Sequence, residues 1–219
     1  MTEAIETGAR ACEFEAELIK ADPHLGRVIG AVIAKAGRQS VKPSHAAPFE
    51  ALVRAVVYQS VSGKAAGTIF ARLKAELGGT FSPTKMLATH RDALMAVGLS
   101  GTKTRAIQSL AEWFMANRRM AQALPELPDD ELVAALTSIA GIGVWTVNVF
   151  LIFNLGRLDV MPTGDLGIRR GVQLVYGLKT IATPKQVQEK AERWRPYRSI
   201  ASVYLWNAMK LKISPPDLK

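Results

Sequence analysis

The sequence predicts an all-α fold, and three observations carry that expectation. Apolar residues recur at helical spacing through most of the 219 residues, the pattern of helices that each bury one face. No stretch alternates apolar and polar residues over the length of a strand. Proline, glycine and small hydroxyl or carboxyl residues punctuate the periodic runs where helices start and stop, which divides the chain into about ten to twelve helices.

Taken in order, Phe14, Leu18 and Ile19, then Leu25, Val28, Ile29, Val32 and Ile33, place two helices between residue 1 and about residue 38. Asp22-Pro23 divides them, with the proline tolerated in the second helix's first turn. From Gly37 to Pro48 the composition turns polar, as a linker or a crossover between lobes does. Residues 1–48 are therefore expected to form N-terminal helices and a linker, packed on a body formed by residues 49–219. Phe49, Leu52, Val53, Val56 and Val57 mark the next helix, which stops near Tyr58-Gln59-Ser60-Val61. Ser62 is placed to cap a helix carrying Ala66, Ile69, Phe70, Leu73 and Leu77, closed by Gly78-Gly79. Ser82-Pro83 opens a short helix, and Asp92 is expected to cap another. The turn Gly98-Leu99-Ser100-Gly101 leads into a helix from Thr102 to about Asn117. Pro125 and Pro128 punctuate the approach to the next helix, with Asp129 expected as its cap. Near the end, Thr183-Pro184 opens a helix reaching Trp194, Arg195-Pro196 breaks it, and a last helix carries Ile200, Val203, Tyr204, Trp206, Leu211 and Ile213.

The composition narrows function before any motif is read. There are 28 Lys and Arg against 19 Asp and Glu, a formal charge of +9. Residues 157–219 hold 12 basic and 5 acidic side chains, so +7 of that excess lies there. Such a bias favours a polyanionic partner or an anionic membrane surface, or is merely the background of a basic proteome. The single cysteine, Cys12, excludes an internal disulfide and a cysteine-ligated iron–sulfur cluster. His24, His45 and His90 are isolated, without metal-ligand spacing. The N-terminus is acidic and lacks a signal-peptide apolar region. The longest apolar run, Val147 to Leu155, falls far short of the roughly 20 residues of a membrane span. A soluble protein of the cytoplasm or nucleoid is expected.

The chemistry concentrates between Leu136 and Gly171. Gly141-Ile142-Gly143 forms a tight turn between two apolar helical runs; glycine there permits positive φ and close approach of a ligand or another backbone. The free N–H groups of the helix that follows favour an anion such as phosphate. Two readings are open: a helix-hairpin-helix that grips one DNA strand without reading its sequence, or an ordinary αα-corner. The helix from Val144 to Leu155 is apolar nearly all round and is expected to be buried, with Trp145, Asn148 and Val149 on one face. Asp165 stands at the start of a helix from Leu166 to Tyr176, as its N-cap, as a catalytic carboxylate, or as both. Arg169 and Arg170 follow one turn in, either solvated or set against a phosphate backbone. Leu94 to Leu110 echoes Leu136 to Leu151 in its apolar run, glycine turn and second helix.

This arrangement resembles the HhH-GPD superfamily of DNA glycosylases, whose signature is the hairpin, a glycine/proline-rich loop and an aspartate; Pro162, Gly164 and Asp165 stand where it requires them. Within the superfamily the chain looks most like the AlkA-like 3-methyladenine DNA glycosylase II family. The likeness runs from about Phe49 to Lys212, most clearly at Gly141 to Asn148, Asp159 to Gly171 and Glu192 to Trp206. It implies two helical lobes with a DNA and base-binding cleft between them, the hairpin at about residues 130–155 and the catalytic loop at 159–165. It implies that Asp165 is the catalytic carboxylate of an enzyme that flips an alkylated base out of duplex DNA and hydrolyses its N-glycosidic bond. Trp145 stands where glycosylase-lyases of the superfamily carry a nucleophilic lysine, so the implied enzyme leaves the abasic strand uncut. Trp145, Trp206, Val149, Leu166 and Gln59 are implied as the base pocket. Ser60, Lys103, Gly141, Gly143, Val144, Arg169 and Arg170 are implied as DNA contacts. The carbonyls of Thr137, Ile139 and Gly141 are implied as ligands of a structural Na+ or K+, with no cofactor required. The implied partner is damaged double-stranded DNA, met by a monomer without an obligate protein partner.

Three positions depart from the family pattern. Ser60 stands where relatives often present a bulky wedge, which leaves Gln59 or another residue to fill the gap left by a flipped base. Val149 and Leu166 replace aromatic pocket residues of some relatives, so the pocket is expected to be wider and less dependent on stacking. Trp194 is expected in the core, and Arg193, Arg195, Arg198 and Lys210 form either a solvated basic face or a DNA approach. The competing functions are a glycosylase for deaminated or oxidised bases, and a non-catalytic helix-hairpin-helix protein that binds DNA structure.

Overall fold

The computed structural model describes residues 2–218, with side chains from residue 12 onward. Every regular element among the described residues is helical. The first seven α-helices are α1 (Thr2–Ala21), α2 (Pro23–Ala36), α3 (Pro48–Tyr58), α4 (Gly63–Glu76), α5 (Pro83–Ala88), α6 (Arg91–Ala96) and α7 (Gly101–Ala116). They are followed by α8 (Arg118–Ala123), α9 (Asp129–Thr137), α10 (Val144–Phe153), α11 (Leu166–Tyr176), α12 (Pro184–Ala191) and α13 (Arg198–Lys210), with 3-10 turns at Leu124–Glu126, Glu192–Trp194 and Pro215–Leu218. The helix missing from the sequence expectation is α8, which buries only Ala121 within its six residues and so shows no apolar period. Two caps also differ. The His90 imidazole accepts the N–H of Asp92 (3.3 Å) and caps α6 in place of Asp92. Asp129 lies inside the first turn of α9, with Pro128 at the cap position.

The described chain divides into two compact units, Met1–Lys42 with Gly156–Lys219, and Pro43–Leu155. The chain passes from one to the other inside the polar linker and returns after α10, so residues 49–219 contribute to both units.

In the first unit α2 packs on α1, α11 and α13, and α11 packs on α12 and α13. Leu25, Val28, Ile29 and Val32 of α2 share one core with Ile168, Val172 and Val175 of α11 and Ile200, Tyr204 and Leu205 of α13. Asp22 sits inside this unit without solvent exposure. Its carboxylate caps α2 through the N–H groups of His24 (3.0 Å) and Leu25 (3.3 Å). It also accepts from the Trp194 indole (2.9 Å) and the Tyr176 hydroxyl. Burial pushes the Asp22 carboxyl up, but these four hydrogen bonds outweigh it and hold the group below its ordinary value. The same contact and burial push the Tyr176 hydroxyl up.

In the second unit α3 packs on α4, α7 and α10, with α5 on α7 and α9 on α10. Leu52, Val53, Val56 and Val57 of α3 are fully buried. Asn154, at the end of α10, donates to Ser44 Oγ (2.9 Å) and the Ala46 carbonyl (3.0 Å), tying the linker to that helix. Between α9 and α10 the Ile142 N–H closes onto the Ile139 carbonyl (3.0 Å). Gly141 has φ +85°, and a Cβ there would lie 2.5 Å from Ala106 Cβ on α7. The close approach that Gly141 permits is thus to this protein's own helix. Gly143 differs: its backbone is extended (φ −98°, ψ 169°) and a Cβ would meet nothing within 4 Å.

Gly141→Ala combines a left-handed backbone with a steric collision and is expected to cost about 2 kcal/mol or more in urea denaturation. Gly143→Ala meets open space, and its cost is expected to stay within about 1 kcal/mol, that of alanine at an N-cap. Asp22→Ala removes a cap and takes the acceptor from the buried Trp194 indole and the half-buried Tyr176 hydroxyl, for an expected loss of about 3 kcal/mol. Because the folded Asp22 carboxyl lies below its unfolded value, its contribution is complete above the unfolded value near pH 4 and is lost as pH falls through the folded one. Acid denaturation of the parent and of Asp22→Ala should therefore converge at low pH.

Candidate active site and nucleic-acid interface

Asp165 lies at the junction of an irregular loop and α11. It caps that helix with Oδ1, which accepts the Ile168 N–H at 2.8 Å. The same oxygen accepts Nε1–H of Trp206, from α13, at 2.9 Å. Both donors belong to rigid elements, and a helix N-terminus favours negative charge beside it. The carboxylate is half-buried, so its direction is set while solvent still reaches it.

The loop leading to Asp165 is held by the start of α13. Ser199, fully buried, donates its hydroxyl to the Arg157 carbonyl (2.7 Å) and accepts the Val160 N–H (3.0 Å), while its own N–H goes to the Leu158 carbonyl (2.9 Å). Arg198 grips Asp159 through Nε to Oδ1 (2.6 Å) and through a terminal nitrogen to the backbone carbonyl (2.9 Å). Arg195 takes Asp159 Oδ2 at 2.7 Å. An irregular segment has its main-chain groups satisfied in this way by the first two residues of one helix, Arg198 and Ser199. That helix also supplies Trp206, so one rigid body sets both the approach to Asp165 and one of its hydrogen bonds.

Around Asp165 the structure also brings together Leu166, 49% exposed at the head of α11, and half-buried Trp206. Arg170 is exposed on the same helix. Arg169 is not disposed as its neighbour is: its Nε donates to the Ala182 carbonyl (2.7 Å), tying α11 to the segment before α12. Of the C-terminal basic residues, Arg195 and Arg198 are engaged with Asp159 and Glu192, and Arg193 lies 6.0 Å over the Tyr176 ring. Trp194 is fully buried.

The remaining candidates lie in the second unit. Val144 is 55% exposed at the head of α10, where Gly143 offers no side-chain cap. Trp145 and Val149 are half-buried on that helix. Gln59 donates its amide to Thr146 Oγ1 (2.7 Å), so its side chain lies against α10. Ser60 is exposed in a left-handed conformation, φ +55°. Lys103 donates Nζ to the Val57 carbonyl (2.8 Å), capping α3, and burial pushes its ammonium down from the ordinary lysine value. It retains two further N–H donors for an anion. The Thr137, Ile139 and Gly141 carbonyls lie between the end of α9 and the start of α10. Ile139 gives one lone pair to Ile142 and retains its second.

The sequence reading missed Ser199 and Gly167, and it did not foresee that Arg198, expected on a solvated basic face or a DNA approach, holds Asp159. A glycine inside the first turn of α11 was the one visible signal; Ser199 and its loop partners are 39 to 42 residues apart and share no local pattern.

Residues 53–196 match the family described as HhH-GPD superfamily base excision DNA repair protein. The chain is 38% identical over 167 residues to the DNA-3-methyladenine glycosylase 1 of Schizosaccharomyces pombe, across 75% of this chain and 73% of that protein. Its fold resembles the 3-methyladenine DNA glycosylase of Schizosaccharomyces pombe in complex with abasic DNA, with a TM-score of 0.78 and 33% identity over 90% of this chain and 97% of that one. It also resembles the DNA-3-methyladenine glycosidase of Bacillus halodurans, with a TM-score of 0.73 and 31% identity over 91% of this chain and 92% of that one. The match of hairpin, loop and aspartate across most of the chain places it in one family: the protein belongs to the HhH-GPD superfamily of base excision DNA repair proteins.

Proposed function

We propose that this protein is a monofunctional DNA-3-methyladenine glycosylase, acting as a monomer on duplex DNA. The observation that carries the reading is the Asp165 carboxylate, held by N–H donors of α11 and α13 after the Pro162/Gly164 loop of the family signature. Names of relatives such as DNA-3-methyladenine glycosylase support the substrate class.

The chemistry follows from what such a carboxylate can do. An alkylated purine flipped from the stack is a good leaving group, so the glycosidic bond stretches without a strong acid. Positive charge then develops on the sugar, and a fixed anion beside it lowers the barrier electrostatically. The same carboxylate accepts a proton from the water that adds to the sugar. Trp145 occupies the position of the lyase lysine and has no amine to form a Schiff base, so the product is an intact strand with an abasic site. The head of α10, with Gly143 and Val144, meets a phosphate through backbone N–H groups; Arg170, Lys103 and the formal charge of +9 add electrostatic attraction. The hairpin carbonyls of Thr137, Ile139 and Gly141 would hold a monovalent cation beside that phosphate. Val149 and Leu166 stand in place of aromatic residues, which favours selection by leaving-group quality over selection by stacking.

Asp165→Asn is expected to lower release of 3-methyladenine from alkylated duplex by on the order of 10³-fold or more, with duplex affinity essentially unchanged. Release at the parent rate would overturn the assignment. Borohydride is expected to trap no covalent enzyme–DNA adduct, and a trapped adduct would show lyase chemistry. Duplex affinity should fall linearly on a log–log plot against salt.

A further inference from the structure

Trp206 sits about two turns into α13, and its indole crosses the first turn of α11 to reach Asp165 Oδ1. The path exists because residue 167 is glycine. A Cβ at that position would lie 3.0 Å from Trp206 Cδ1, 3.5 Å from its Nε1 and 3.0 Å from Asp165 Oδ1. An indole has no flexible end with which to yield. The glycine is not explained by backbone conformation, since Gly167 is not among the positive-φ residues, and glycine is disfavoured within a helix. The space it leaves is shared by the indole and the carboxylate oxygen that the indole reaches.

A carboxylate rotates easily about its Cβ–Cγ bond, a broad torsion with no sharp well. The Ile168 N–H holds Oδ1 from one helix only. A second donor on that oxygen, from a different helix, narrows the rotation and fixes where the other oxygen points. We propose that Trp206 and Gly167 form a positioning pair: the Trp206 indole N–H sets the rotation of the Asp165 carboxylate, and Gly167 leaves the room for it. The proposal rests on the reading of Asp165 as the catalytic carboxylate. It assigns the tryptophan's function to its N–H, whereas a base-stacking tryptophan would act through its ring face.

Phenylalanine separates the two roles, because it keeps an aromatic face and loses the donor. In single-turnover release of 3-methyladenine from alkylated duplex, Trp206→Phe is expected to slow the chemical step about tenfold or more. Its affinity for a duplex carrying an abasic-site analogue should stay within about twofold of the parent. Gly167→Ala, whose methyl displaces the indole, is expected to reproduce that split. The double variant should be no slower than the worse single one, because both remove the same interaction. A Trp206→Phe rate at the parent value, loss of rate and affinity in step, or multiplying losses in the double variant would overturn the proposal. Should Gly167→Ala fail to fold, the rate-against-affinity split of Trp206→Phe decides alone. Asp165→Asn run in parallel keeps the two readings apart: an inactive Asp165→Asn with a fully active Trp206→Phe sinks only the positioning pair, and an active Asp165→Asn sinks the catalytic reading.

Discussion

The Asp165 carboxylate takes an N–H from each of two helices, and much of the first unit is built to keep those donors in register. The start of α13 grips the loop that delivers the aspartate, and Trp206 on the same helix reaches the carboxylate itself. The buried residues of α13 join the core with α2 and α11. Farther along, the Tyr204 hydroxyl donates to buried Glu15 on α1 and accepts the Gln39 N–H (3.0 Å), while Arg38 pairs with Glu15. Displacing α13 would therefore disturb loop, carboxylate and N-terminal helices together. Asp22 does comparable work at the other end of α2, joining that helix to Tyr176 and Trp194.

The second unit is organised by a different constraint, the closeness of the hairpin to α7. With Gly141 against Ala106, the chain turns sharply enough to start α10 at once, and Gly143 leaves the head of that helix without a side-chain cap. The two glycines look equivalent in the sequence. One is a packing requirement, and the other leaves an uncapped helix end of the kind that suits an anion.

The basic residues divide in a similar way. Arg169, Arg195, Arg198 and Lys103 are each hydrogen-bonded to the protein's own carbonyls or carboxylates. Their positive charge still adds to the long-range field, but part of their donor capacity is committed internally. The charge balance in the sequence thus describes attraction to a polyanion better than it identifies contacts. Arg170, exposed beside committed Arg169, shows how adjacent identical residues take separate roles.

Much of the fold was legible in the sequence because helices arise from contacts within four residues. The apolar period of α3 and of α11, the helix starts at Asp22-Pro23 and Ser82-Pro83, the caps at Ser62 and Asp165, and the break at Arg195-Pro196 are all local statements. The hairpin, its proline/glycine loop and the aspartate were legible for the same reason, as an ordered local motif. The sequence alone determined that this is an all-helical protein with a capped carboxylate after a glycine turn. The tertiary structure decided which donors meet that carboxylate, which glycine is structural and which arginines are engaged. Trp206 and Asp165 are 41 residues apart, and Ala106 lies on α7 whereas Gly141 lies in the turn between α9 and α10. Such pairs carry no periodicity or spacing by which they could be read. They come together only when packed helices bring distant side chains within hydrogen-bond or van der Waals reach.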